Sequence, residues 1–297
     1  MSRPPSLYPQ RFRWLRDRLR GTPVHDAWRF LETAVGARRS RDVLREVRTY
    51  CLFIGHSRSG HSVVGALLDA HPSAVVSDEL DAVRYLRRGF SRDQLFRLSI
   101  DRAARQARNE RRKRGRHGKT YSYFVPGQWQ GRHRRLQVVG DSTAGETVRA
   151  LDGDPRLLEV IRDRVQPADL RIVHVVRNPF DNISTMVIRG GRTFDVAIRR
   201  YFENCAMLQR QRERIGSAKL ATLRHEDLVT DPRVTLAALC RFLELDPTQD
   251  YLDACAAILF SGPSRTRSSV TWTPEHIAEV TERMAAYDFL SGYAYTE

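Results

Sequence analysis

Residues 55–62 read Gly-His-Ser-Arg-Ser-Gly-His-Ser, close to the phosphate-cradling pattern G-x-x-x-x-G-K-[ST]. Gly55, Gly60 and Ser62 are in place, but His61 stands where that pattern has its lysine. Glycines permit a tight turn whose backbone N–H groups face an anion, and a helix opening at the end of the turn adds the positive end of its dipole. Imidazole is mostly neutral at pH 7, with a reference pKa of about 6.5, so His61 replaces a lysine poorly. Arg58 is the permanent cation of the loop. A magnesium-dependent phosphotransferase would also need an aspartate at a neighbouring strand end, and Asp141, closing Val-Val-Gly-Asp, is the candidate.

The flanking sequence supplies the elements such a loop needs. Thr-Tyr-Cys-Leu-Phe-Ile-Gly (49–55) is a β-rich apolar run, and Val63, Val64, Leu67 and Leu68 recur at helical spacing until Pro72. Further strands are predicted in residues 73–80, 135–141, 170–179 and 219–228, with helices in 154–165, 230–245 (Asp231 as cap, Pro232 first) and from Thr273 onward. Strands alternating with helices predict an α/β fold with a P-loop-type parallel β-sheet flanked by helices. The expected organisation is one domain over residues 50–297, an N-terminal helical arm over 1–49 and a basic helical insertion over about 91–135. In the arm, Phe12, Leu15 and Leu19, then Trp28, Leu31 and Val35, mark apolar helix faces.

Composition narrows the function classes. The 297 residues carry a formal net charge of +15, with 47 arginines against the three lysines Lys113, Lys119 and Lys219. The planar fork of arginine suits phosphate and sulfate, so an anionic ligand is implied. The strongly basic, helix-compatible stretch 91–119 reads as a solvated surface helix or mobile insertion, with a contact to an anionic substrate or nucleic acid, suggested by 102–119, as the alternative. No apolar run is long enough to span a bilayer, and no secretory leader is readable, so a cytoplasmic location is expected. Cys51, Cys205, Cys240 and Cys255 form no C-x-x-C pair and sit among apolar neighbours, which predicts reduced core thiols.

Arg-Ser-Gly-His-Ser through His71-Pro72 to Asp78-Glu79 resembles the 5′-phosphosulfate loop of sulfotransferases that use 3′-phosphoadenosine 5′-phosphosulfate, with Ser57 for the usual proline and His61 for the usual hydroxyl residue. Val-His-Val-Val-Arg-Asn-Pro-Phe-Asp-Asn-Ile-Ser-Thr (173–185) resembles the 3′-phosphate motif of the same family. The resemblance extends sparsely over residues 50–293, through Arg-His-Glu-Asp-Leu (224–228) and the late loop 261–272. It implies a cofactor site of Arg58, Ser59, Gly60, His61, Ser62, Arg177, Ser184, Thr185, Arg265 and Arg267. The second motif also has its own logic: a guanidinium at a strand end and a hydroxyl in the following helix make an anion seat. Asp181, four residues beyond Arg177, offers that arginine a plain ion pair instead.

The resemblance further implies a base at Glu79, with Asp78 adjacent and ambiguous, and a stabilising role for Arg58. His61 is a third catalytic candidate, as a donor to the 5′-phosphate that binds more strongly when protonated. The expected reaction is transfer of a sulfuryl group from 3′-phosphoadenosine 5′-phosphosulfate to a hydroxyl of a small molecule or carbohydrate, releasing adenosine 3′,5′-bisphosphate, with no metal required. A magnesium-dependent P-loop kinase and a non-enzymatic binder of polyanions are the alternatives. Nucleic acid is the less favoured partner, and the oligomeric state, a homodimer included, stays open.

Overall fold

The computed structural model describes residues 23–116, 123–260, 262 and 264–296. The expected helix face at Phe12, Leu15 and Leu19, and residues 117–122 of the basic stretch and its Tyr-rich continuation, lie outside them. Five strands form one sheet: β1 Thr49–Gly55, β2 Ala74–Ser77, β3 Val138–Asp141, β4 Asp169–Val176 and β5 Leu220–Arg224. The order is β2-β3-β1-β4-β5, and every pairing is parallel. Between and after them run α1 Pro23–Arg39, α2 Arg41–Arg45, α3 His61–Asp69, α4 Ala82–Arg87, α5 Arg92–Arg116, α6 Gly145–Gly153, α7 Leu157–Val165, α8 Pro179–Gly190, α9 Phe194–Ile215, α10 His225–Thr230, α11 Pro232–Phe242, α12 Gln249–Ala256 and α13 Pro274–Met284.

Parallel strands covered on both faces read as apolar runs rather than as polar–apolar alternation. In β1 the alternation instead sorts two cores: Tyr50, Leu52 and Ile54 join the one under α5 to α9, whereas Cys51 and Phe53 join the one under α3, α11 and α12. Each such fully buried side chain contributes about 1.5–3 kcal/mol. The four cysteines are unbridged and buried, as expected. Asp231 and Thr273 cap their helices, accepting from the backbone N–H of Val234 and His276 at 3.3 Å each.

Two readings of the N-terminal half are corrected. Trp28, Leu31 and Val35 are 40%, 63% and 44% exposed, so they are not the packed face of α1. That helix turns Asp26, Arg29, Thr33 and Ala37 inward: Asp26 meets Arg84 of α4 at 2.9 Å, the Phe30 carbonyl accepts from Gln94 of α5 at 2.8 Å and Ala37 joins the core, while Arg29 pairs with Glu32 of the same helix. A charged face is thereby anchored by an ion pair and a hydrogen bond, which hydrophobic periodicity does not detect. The basic α5 likewise buries Leu95, Phe96, Leu98, Ala103 and Ala107, and packs on α1 and β2 as part of the body. The strand of chain after it is pinned by Gln130, which accepts from the Val125 N–H at 2.7 Å and donates to the Ala66 carbonyl of α3 at 3.1 Å. Gly131 (φ 69°) lies so close to α5 that an added Cβ would come within 2.8 Å of Ala104 Cα.

Register places the chemistry. Gly55 pairs with Val175, so Arg177, two residues on, stands beside the loop that leaves β1. Ser77 pairs with Asp141, so Asp78 and Glu79 stand beside Ser142 and Thr143. Asp141 itself fixes that second corner. Its carboxylate accepts from Leu80 N–H at 3.0 Å, Ala82 N–H at 2.8 Å and the Thr143 hydroxyl at 2.9 Å, and burial pushes its pKa up to about 6 against the pull of these donors. Removing the carboxylate in Asp141→Ala deprives the buried N–H groups of Leu80, Ala82 and Thr143 of their acceptor, each worth about 1–3 kcal/mol, so urea denaturation should show a loss of at least about 3 kcal/mol. An unchanged midpoint would mean that the corner does not depend on it.

Candidate functional site

The loop after β1 begins at Gly55 and ends at Gly60, the N-cap of α3, whose φ is 98°. A side chain at Gly60 would collide with His225, since an added Cβ comes within 2.5 Å of its Nδ1. Arg58 also takes a positive φ of 69°, a strained choice for a non-glycine residue, with its guanidinium in solvent. The backbone N–H groups of Arg58, Gly60, His61 and Ser62 have no backbone acceptor among the described residues. Together with the first turn of α3 they form a cradle for an anion.

Arg177 ties this loop to two others. Its Nη1 donates to the Arg58 carbonyl at 3.2 Å and to Thr185 Oγ1 at 3.4 Å, while Nη2 donates to the Ser264 carbonyl at 3.1 Å and to Thr266 Oγ1 at 2.8 Å. Every acceptor is neutral, and Nε is buried with no partner. Asp181 instead takes Arg267, through the Arg267 backbone N–H at 2.8 Å and guanidinium at 2.7 Å. Burial lowers the pKa of Arg177, with the carboxylates of Asp181 and Glu226 opposing. The result is a 9%-exposed cation with no carboxylate in direct contact, a place where an anion is stabilised by charge-assisted hydrogen bonds.

Four buried polar atoms around the loop lack partners: Ser59 Oγ, His61 Nδ1, Arg177 Nε and His225 Nδ1. Buried polar groups are normally paired, so such a cluster marks a binding surface for a polar ligand. Burial lowers the pKa of His61, although Asp78, Glu79 and the backbone of Ser142 pull the other way. It pushes His225 down to about 4, helped by Arg177. His56, beside them in sequence, has a structural job: stacked on Tyr201, with Nε2 3.0 Å from the Tyr201 carbonyl, it too is pushed down to about 4 by burial.

The expected site is only partly assembled. Arg58, Ser59, Gly60, His61, Ser62, Arg177 and Thr185 converge. Ser184 is corrected out of it: fully buried, its Oγ accepts from the Trp272 indole at 3.0 Å and serves the core. Arg267 is spent on Asp181, and the Arg265 side chain is exposed and makes no hydrogen bond or ion pair among the described residues. At the other corner, Asp78 accepts from the Ser142 hydroxyl at 3.0 Å, whereas the Glu79 side chain is exposed and makes no hydrogen bond among the described residues. Capping of α4, the plainer role open to Glu79, falls to Asp81, which accepts from the Arg84 N–H at 3.4 Å. Tyr123 stays protonated here, its pKa raised by burial and by Asp78. Sequence reasoning missed His225 and Thr266; the only signal was an imidazole directly after a strand end, next to the Glu226-Asp227 pair.

Residues 157–250 match the family model described as the sulfotransferase family. Among solved structures, the sulfotransferase domain from the curacin biosynthetic pathway shares the fold at 12% identity, covering 82% of this chain and 99% of that one with a TM-score of 0.50. The sulfotransferase domain of the Synechococcus PCC 7002 olefin synthase matches at 16% identity, 82% and 96% coverage and a TM-score of 0.49. Sulfotransferase STF9 from Mycobacterium avium matches at 12%, 86% and 81%, and 0.48. No curated protein matches the chain. One segment of the chain thus matches a sulfotransferase family model, and the fold is shared with a sulfotransferase domain. No helix among the described residues is long and apolar enough to cross a membrane.

Because His56 and His225 titrate near 4 when folded and near 6.5 when unfolded, the unfolded chain binds more protons across that window, and stability rises with pH through it. Asp141, raised from 3.8 to about 6, cancels part of this rise up to about pH 6, where two imidazoles outweigh one carboxyl. The denaturant midpoint should therefore climb between about pH 4.5 and 6.5 and flatten above, with a shallower climb in His225→Gln. A midpoint that falls over this range would contradict the burial of neutral imidazoles.

Proposed function

We propose that the chain transfers the sulfuryl group of 3′-phosphoadenosine 5′-phosphosulfate to a hydroxyl of a small molecule or carbohydrate. The observation that carries this reading is the buried Arg177 guanidinium, held by neutral acceptors alone and hooked to the phosphate loop. The cradle at 58–62 receives the 5′-phosphosulfate; Arg177, Thr185 and Thr266 receive the 3′-phosphate, which replaces the Ser264 and Thr266 oxygens or engages the unpartnered Nε. Arg265 follows the late loop onto the same phosphate. The orphaned atoms fit such a ligand, since Ser59 Oγ is a donor and a neutral imidazole can carry its N–H on the nitrogen that faces the phosphate.

The acceptor oxygen attacks sulfur as its proton passes to the carboxylate of Glu79, and the bond from sulfur to the bridging phosphate oxygen breaks. Adenosine 3′,5′-bisphosphate departs as an anion that needs no proton. Arg58 and the loop N–H groups stabilise charge on the transferring and bridging oxygens, and His61 holds the 5′-phosphate. The carboxyl groups of Asp78, held by the Ser142 hydroxyl, and of Glu79 face His61 and partly offset the burial that lowers its pKa. The magnesium-dependent kinase reading loses support because the oxygens of Asp141 are already taken by Leu80, Ala82 and Thr143.

Transfer of labelled sulfuryl from the donor into a fractionated extract, read by mass spectrometry, is the direct test. Glu79→Gln should keep donor affinity and lose turnover by about a hundredfold or more, with Asp78→Asn affected less; near-normal turnover in Glu79→Gln removes it as base. Arg177→Ala should weaken adenosine 3′,5′-bisphosphate by about tenfold to a hundredfold and leave adenosine 5′-monophosphate within about twofold, as expected for one charge-assisted pair worth about 1.5–3 kcal/mol. Equal losses for both would contradict this placement of the 3′-phosphate.

A further inference from the structure

A second feature adjoins the loop on the side away from α3. Between α6, α8 and α9 lies a cavity of about 550 Å³ that opens on His56 and Ser57. Its wall carries the guanidinium groups of Arg149, Arg192 and Arg200 and the thioethers of Met186 and Met207. One carboxylate, Glu203, is also present, facing Arg199 at 3.9 Å. Arg149 is paired across a helical turn with Glu146, whereas Arg192 and Arg200 have no ion pair among the described residues.

The size suits a ligand of a few hundred daltons, and the mix of two soft apolar side chains with unpaired forked cations suits an amphipathic anion. None of Arg177, Thr185 and Thr266 contributes to the wall, so the cavity is distinct from the seat assigned above to the 3′-phosphate. Yet Ser57 is shared with the loop: its Oγ lies 3.4 Å from where a Cβ on Gly145, the first residue of α6, would sit. The cavity thus opens onto the phosphate loop itself at Ser57, the residue before Arg58.

Resting on the sulfotransferase reading, we propose that this cavity is the acceptor site and that it selects hydroxyl compounds bearing a carboxylate or phosphate, with Arg192 and Arg200 taking the anionic group and Met186 and Met207 packing the apolar body between anion and hydroxyl. Arg192 lies in the turn before α9 and Arg200 two turns into that helix, whereas His56 and Ser57 belong to the loop, so the wall carries its cations and its loop residues on different elements.

The test separates binding from turnover. Calorimetric titration of 4-hydroxyphenylpropionate, 4-hydroxyphenyl phosphate and neutral 4-propylphenol into the intact protein saturated with adenosine 3′,5′-bisphosphate should show at least a tenfold preference for the two anions. Arg200→Glu and Arg192→Ala should each abolish that preference, while adenosine 3′,5′-bisphosphate still binds within about twofold of the wild-type value, which also certifies the fold. Equal binding of neutral and anionic probes, binding of none at millimolar concentration, a preference that survives both substitutions, or competition between the anions and adenosine 3′,5′-bisphosphate would each overturn the proposal. Loss of the nucleotide's binding in the wild type, with anion preference intact, would instead count against the sulfotransferase reading and leave the anion-selective cavity standing.

Discussion

One guanidinium holds the ligand-facing edge of this molecule together. Arg177 leaves the end of β4 at the level of the phosphate loop because Gly55 and Val175 share a rung of the sheet, and it then binds the loop, α8 and the segment 264–266 at once. A buried cation satisfied only by carbonyls and hydroxyls is stabilised far less than one facing a full negative charge. The arrangement is accordingly biased towards an anion. The neighbouring Asp181 would have neutralised it, but that carboxylate is occupied by Arg267, whose ion pair fixes the late loop in the position where Thr266 reaches Arg177.

The opposite corner is built by a carboxylate instead. Asp141 holds the turn after β2 through Leu80 and Ala82, and the turn in consequence displays Asp78 and Glu79 towards His61. The molecule thus sets a cationic seat and an acidic corner on either side of one Gly-rich loop, each fixed by a buried charged residue that does not need to react. Donor binding and proton removal can be separated in this way, since a base must stay near the acceptor while the cations stay near the leaving phosphate.

Much of this was legible in the sequence because it depends on local patterning. The strand, turn and helix around residues 49–69, the cap at Asp231 and the second strand end at Arg177 follow from apolar runs, glycines and caps. What the sequence hid depends on partners distant along the chain. Asp181 lies four residues from Arg177 and pairs with Arg267, 86 residues away. Ser184 and Thr185 are adjacent, yet rotation about α8 sends one to Trp272 and the other to Arg177. His225 reaches Gly60 only because β5 ends beside β4. The apolar stripe of α1 misled because the helix is docked by the Asp26–Arg84 ion pair, the Gln94 hydrogen bond to the Phe30 carbonyl and contacts of Phe30 and Ala37, none of which lies on that stripe.

The central claim is that the loop and Arg177 form one seat for a nucleotide phosphorylated on both sides of its ribose. Isothermal titration of the wild-type protein with adenosine 3′,5′-bisphosphate, adenosine 5′-monophosphate and ATP with magnesium measures this most directly. The account predicts that the bisphosphate binds at least tenfold more tightly than the monophosphate, and does so in the presence of a chelator. Tighter binding of ATP with magnesium, or equal affinity for the bisphosphate and the monophosphate, would contradict it.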